Sequence, residues 1–211
     1  MLCVTLTPTK SLSKDQAVQA VGQLVASLSS HPDAVDTPVA GFKAHHQDQV
    51  QGCLASPHEA VGLILSVARS ALWGMHLTLL PGHQGSGAMG SDGLQRDLDA
   101  ALAVAGEALR APGQVLVAMA DSGAIIGPKE MPQLGAIESS LQLLSAIERR
   151  RSDEGQEAGV MVNAGNSQSL TASELGVSQQ AVSARLQAGY WYESRRAAYW
   201  LAHEIQMFIG T

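Results

Sequence analysis

Apolar residues along this chain recur at two periods, and the switches between them mark its elements. Leu2–Thr7 is a short apolar and threonine-rich run that closes at Pro8, which predicts a strand. Val18, Val21, Leu24, Val25 and Leu28 then recur at helical spacing behind Ser13 and Asp15, either of which suits a helix cap. After a polar loop with Pro32 and Pro38, Val39–His45 and Gln49–Leu54 read as two strands meeting in a tight turn at residues 46–48. Pro57 opens an apolar helix through Ala60, Val61, Leu63, Ile64, Val67, Ala68, Ala71 and Leu72. Met75–Leu80 reads as a strand, and the Gly/Ser-rich stretch 81–93 as a flexible surface loop. Leu94–Leu109 is an amphipathic helix, and Pro112-Gly113 separates it from a strand at Val115–Ala120.

Strand, helix, strand, strand, helix, strand, helix, strand is an α+β order, with helices expected on one face of a mostly antiparallel sheet. A turn-rich connector leads to a helix at Leu134–Arg151, where Ile137, Leu141, Leu144 and Ile147 share a stripe. It is expected to link two domains, 1–133 and 152–211.

The richest local pattern lies in the second of these, at roughly residues 158–190. Two helices cross closely only where the contact residue is small, and Ala172 is there. Gly176 supplies a left-handed turn, Val177 plugs the angle, and Ser178 is a natural N-cap for the second helix. Leu170, Leu175 and Val182 are expected to face the small core. Residues 170–186 resemble the helix-turn-helix of lambda Cro and many bacterial regulators almost position for position; an ordinary αα-hairpin with a glycine turn is the plainer alternative.

The resemblance implies that the second helix enters the major groove of double-stranded DNA. Its outward positions are Ser178, Gln179, Gln180, Ser183, Ala184 and Gln187. Glutamine pairs bidentately with adenine, which makes Gln179 and Gln180 the best candidate readers. Arg185 either pairs with Glu174 or reaches a phosphate. Arg195 and Arg196, with Arg149, Arg150 and Arg151, are candidate phosphate clamps or simply solvated helix surface. Trp191–Ile209 reads as a long helix bearing Trp191, Ala198, Leu201, Ala202, Ile205 and Phe208 on one side, with Tyr190, Tyr192, Tyr199 and Trp200 added. That face either packs on the helix-turn-helix or forms a dimer contact, and dimers suit paired half-sites.

Charge tempers this picture. The net charge of −6 argues against non-specific coating of nucleic acid. From Glu148 onward six arginines stand against seven acids, while the preceding residues hold seven bases and twelve acids. Any DNA binding must come from a local arginine patch. Cys3 and Cys53 sit in apolar contexts and are expected as buried free thiols. With no run of about 18 apolar residues and no signal-peptide pattern, the expectation is a soluble, cytoplasmic protein without membrane contact.

Residues 42–52, FKAHHQDQVQG, followed by a long apolar helix and a strand, resemble the SatD family. Its members carry Gly-Asp-Glu-Phe-Gln-Gly at that hairpin, after a strand ending in Asp-x-x-x-Ser-Arg, and end in a helix-turn-helix. The hairpin is also similar to that of nucleotide and diguanylate cyclases, whose palm places two carboxylates beside two divalent metals. The resemblance implies a ferredoxin-like, palm-type antiparallel sheet domain at 1–133, a linking helix at 134–151, and an all-α helix-turn-helix domain at 152–211. Here Asp48 keeps one acidic position, Gln49 replaces the acid beside it, and residues 7–11 (TPTKS) retain only Ser11 of the first-strand element. A lone Asp48 cannot assemble a two-metal site, so no enzyme activity, cofactor or metal is expected. His45 and His46 point to opposite faces of a strand and do not converge on an ion. Gly85-Ser86-Gly87 lacks the strand and lysine context of a phosphate loop.

Three functions compete at this point: a dimeric DNA-binding regulator whose first domain dimerises or senses a small-molecule effector, a catalytically inactive scaffold that binds proteins, and a weak palm-type enzyme.

Overall fold

The computed structural model describes residues 1–30, 38–45, 48–81, 92–121 and 123–210. The expected loop at 81–93, with Gly85-Ser86-Gly87, lies almost wholly outside the described residues, as do residues 46 and 47 at the hairpin tip. The chain runs β1 (Leu2–Pro8), α1 (Lys14–Ser30), β2 (Pro38–His45), β3 (Gln49–Leu54), α2 (Pro57–Ala68), β4 (Trp73–Leu79), α3 (Asp92–Ala105), β5 (Val115–Asp121) and β6 (Ala124–Ile126). Five helices follow: α4 (Pro132–Arg150), α5 (Asp153–Asn163), α6 (Gln168–Glu174), α7 (Gln179–Ala188) and α8 (Trp191–Gly210). The fold is mixed α+β with one six-stranded sheet of order β2-β3-β1-β4-β5-β6.

Local chemistry explains the element ends. Ser13 and Gln16 cap α1 reciprocally, the Ser13 hydroxyl accepting from the Gln16 N–H while the Ser13 N–H donates to the Gln16 side chain. Ser56 caps α2, with Pro57 in its first turn. The helix stops at Ala68, short of the expected Leu72, because Ala71 turns left-handed (φ 54°) to start β4. Likewise α3 ends at Ala105, and Gly106 (φ 52°) leads into a 3-10 turn over Gly106–Arg110. Val18, expected inside, is exposed.

β1 sits centrally and pairs antiparallel with β3 and β4, β2 pairs antiparallel with β3, and β5 with β6. Only β4 and β5 are parallel. A parallel pair needs a crossover, and α3 supplies it. This corrects the expectation of helices on one face. Leu2, Val4, Leu6, Met75, Leu77 and Leu79 point to a core shared with α1, α2, α4 and α8. The alternate residues Cys3 and Cys53, with Leu80 and Ala120, point the other way, under Leu94 and Leu98 of α3. Cys3 and Cys53 are buried, free, and direct register partners across β1 and β3. The hydrogen bond that the Cys3 S–H donates to the Cys53 sulfur, reinforced by burial, pushes the Cys3 thiol well up from its ordinary range. β6 lies within the stretch read from sequence as a connector, joined to β5 through Gly123 at φ 85°.

The helix expected to link domains is a core element. Leu134, Ile137, Leu141 and Leu144 of α4 are buried in the sheet's core, and Gln142 and Glu138 accept from the Val115 and Val117 N–H groups of β5. The far half of α8 joins the same core through Leu201, Ala202 and Ile205. Thus α8 packs on α2 and α4 as well as on α7. No described helix is long and apolar enough to cross a membrane.

Candidate nucleic-acid interface

Three short helices, α5, α6 and α7, enclose a small second core of Ala158, Ala172, Val182, Leu186 and Trp191. Each starts on a serine whose hydroxyl accepts a backbone N–H two or three residues into the helix: Ser152 from Gly155, Ser167 from Leu170, Ser178 from Ala181. Gly176 adopts φ 65° in the turn between α6 and α7, where a side chain would be strained. Val177 and Leu175 pack against the small core from this turn.

One expected core residue is misplaced. Leu170 is 48% exposed, and Thr171 takes the inward position beside Ala172. The inward stripe of α6 runs through 171, 172 and 175, which leaves 170 outside.

On α7, Val182 and Leu186 are buried, so the helix presents its other face. Ser178, Gln179, Gln180, Ala184 and Gln187 are exposed, and Ser183 and Arg185 are half-buried. Glu174 accepts from the Asn166 side chain rather than from Arg185. Arg185 lies near Glu154 instead. That carboxyl is held below its ordinary range by its own backbone N–H and the Ser152 hydroxyl, with Arg185 adding attraction.

The arginines separate into two groups. Arg149 donates to the Gly113 carbonyl at 2.8 Å. Arg151 is buried, donating to Glu148 (2.5 Å), Gln156 (3.0 Å), Ser194 (3.0 Å) and the Gly189 carbonyl (3.1 Å). Its guanidinium stacks on Trp191, and burial pulls its pKa down while Glu148 holds it up. Arg195 covers the same indole at 4.6 Å and donates to the other Glu148 oxygen at 3.2 Å. These three side chains bind the molecule to itself, Arg195 with its side chain still 38% exposed. Arg150 and Arg196 remain exposed. Arg150 and Arg185 line a common groove of about 360 Å³ with Ser152, Ala184 and Ala188, alongside α7.

The junction around Arg151 escaped the sequence reading. Gly159 gives the indole room: a Cβ there would lie 2.2 Å from Trp191 Cε3. Arg69, just beyond α2, donates to the Arg151 carbonyl and pairs with Asp153. The only early sign was the triple arginine 149–151 itself, whose members have three different fates.

At the sheet's hairpin, Asp48 Oδ2 accepts from Arg110 at 2.9 Å, and His45 Nε2 lies 3.1 Å from Asp99 Oδ1 on α3. Neither faces a second carboxylate from β1, whose sequence LCVTLTP has none. No group of three or more His, Cys, Asp or Glu side chains converges as a metal site among the described residues.

No family model matches the chain, and neither a curated protein nor a solved structure shows detectable similarity to it.

Proposed function

We propose that the chain binds double-stranded DNA sequence-specifically through α6, its turn and α7, and that it acts as a dimeric transcriptional regulator. The observation that carries this reading is the outward face of α7. Its N-terminus is capped by Ser178 and offers Gln179 and Gln180 to solvent, while Val182 and Leu186 anchor the opposite side. In a helix-turn-helix, that end of the second helix meets base edges in the major groove. Gln179 and Gln180 then pair with adenine N6 and N7, while Ser183 and Gln187 follow one and two turns along. Arg185 and Arg150, sharing their groove, take phosphates beside the reading helix.

The sheet domain supports a regulatory rather than a catalytic part. Strands β1–β4 with α1 and α2 run in the order and directions of a ferredoxin-like palm. The single acid retained at the hairpin is paired with Arg110, and β1 brings none to it. The domain serves as a scaffold that positions the reading helix through α4 and α8.

Charge sets the strength. Arg149, Arg151 and Arg195 being engaged internally, Arg150 and Arg185 are left beside α7 for phosphates, while Arg196 stands apart on the outward side of α8. At about 0.9 log unit of affinity per log unit of salt for each phosphate, one protomer reaches a slope of roughly 2. Such a protomer binds weakly, and two copies on paired half-sites bind specifically. Titrating a labelled palindromic library at low and moderate salt tests this: the expected result is salt-sensitive, sequence-selective binding, and affinity indifferent to salt or wholly absent refutes it.

A further inference from the structure

The outward side of α8 is the longest exposed aromatic surface on the described molecule. Trp191, Ser194, Leu201, Ala202 and Ile205 turn inward, so the opposite stripe runs through Tyr192, Arg196, Trp200, His203 and Met207. Tyr192, Trp200 and Met207 are each about half exposed or more, at 49%, 56% and 57%. Trp200 is held edge-on between Tyr199 and His203, with ring centroids 5.7 Å apart on each side, and Tyr199 in turn leans on His58 of α2. Large aromatic side chains fixed in place and left in water mark an interface.

The charges on this stripe identify the occupant. Arg196 and Glu204 are both exposed and stand four residues before and four residues after Trp200. They are eight residues apart on one helix, about 12 Å along its axis, and so too far apart to pair within a copy. An antiparallel pairing of two α8 helices, with its two-fold axis level with Trp200, brings Arg196 of each copy level with Glu204 of the other. The same operation sets Trp200 against its own copy and brings Met207 level with Glu193, whose methylenes cover it. We propose that a second copy of this chain docks here, through α8 against α8. The proposal rests on the dimeric reading above and supplies the surface it needs.

Sedimentation of the full chain without DNA, over about 1–100 µM, reads the dimer directly. The expected wild type is a dimer. Arg196→Glu and Glu204→Arg should each weaken it about tenfold or more by setting like charges face to face, and the double variant should recover most of the loss. Recovery occurs only if the two positions meet between copies. Circular dichroism checks that each variant is folded. As an independent reading, oxidised Trp200→Cys should form a disulfide-linked dimer, while Val104→Cys, exposed on the far side of the sheet, should not. A wild-type chain that stays monomeric throughout, or a double variant no better than either single, overturns the proposal. DNA affinity is measured separately on the same samples, so a DNA-binding monomer refutes the α8 dimer and leaves the DNA contact standing, and a dimer without DNA affinity refutes the DNA reading alone.

Discussion

Arg151, at the end of α4, stacks 4.6 Å from the ring centroid of Trp191, at the start of α8. Between them these residues tie α5 and the end of α7 to α4 and α8. Arg151 also reaches Glu148 one turn back, the carbonyl of Gly189 that ends α7, and Ser194 on α8. A cation placed so deeply is tolerable because its donors are met and Glu148 balances its charge.

Removing one partner should therefore be severe. Arg151→Ala leaves the Glu148 carboxylate buried beside Arg195 alone and should cost about 3–5 kcal/mol in urea unfolding. Replacing Arg151 and Glu148 together by methionine should cost clearly less than the two single changes added. Additive losses would show that the pair is not coupled.

His76 makes stability depend on pH. The imidazole is buried in β4 with Nδ1 3.1 Å from the Thr78 hydroxyl, and burial pulls its pKa from 6.5 to about 4. The unfolded chain takes up a proton below pH 6.5 that the folded chain refuses until about pH 4. The stability is thus fully present above the unfolded pKa and is lost as pH falls through this window, by about 3 kcal/mol in all. Urea midpoints measured from pH 7 to pH 4 should fall accordingly, and His76→Gln should flatten that fall whatever it does to stability at pH 7.

Legibility in the sequence followed locality. The Ser178 cap, the turn at Gly176 and the inward Val182 are set by neighbours within a few residues, and local spacing locates them, whereas for α1 it leaves the cap open between Ser13 and Asp15. A helical stripe says that one face is buried but not what buries it, so spacing alone makes α4 a linker and leaves the destination of α8 open between two surfaces. Leu170 reads as inward from spacing because the pattern does not say on which side of Ala172 the buried stripe lies, and adjacent helical positions differ by more than a quarter turn. The Arg151 junction joins Glu148, Gln156, Gly159, Gly189, Trp191 and Arg195, which lie on four helices, and no periodicity links them. The opposite-face position of α3 follows from the parallel β4–β5 pair, a long-range choice that the order of elements does not reveal.

Gln180 is the most specific prediction on the reading face. Gln180→Ala should cost about 1–3 kcal/mol of DNA affinity and relax preference at one base position. A competition assay over single-base variants of the selected site distinguishes this from uniform weakening, which would remove Gln180 as a reader.

Arg150 and Arg185 should behave in the opposite way. Changing either to alanine should weaken all sequences alike and lower the salt slope by about one unit per protomer. A change in base preference at unaltered slope would assign them to bases instead of phosphates.

The central claim is that α7 reads DNA, and selection of bound sequences from a random duplex pool by the full wild-type chain tests it most directly. The expected result is an enriched site with two symmetric halves, lost when Gln179 and Gln180 are both changed to alanine. A pool that stays random after repeated rounds at low salt would contradict it.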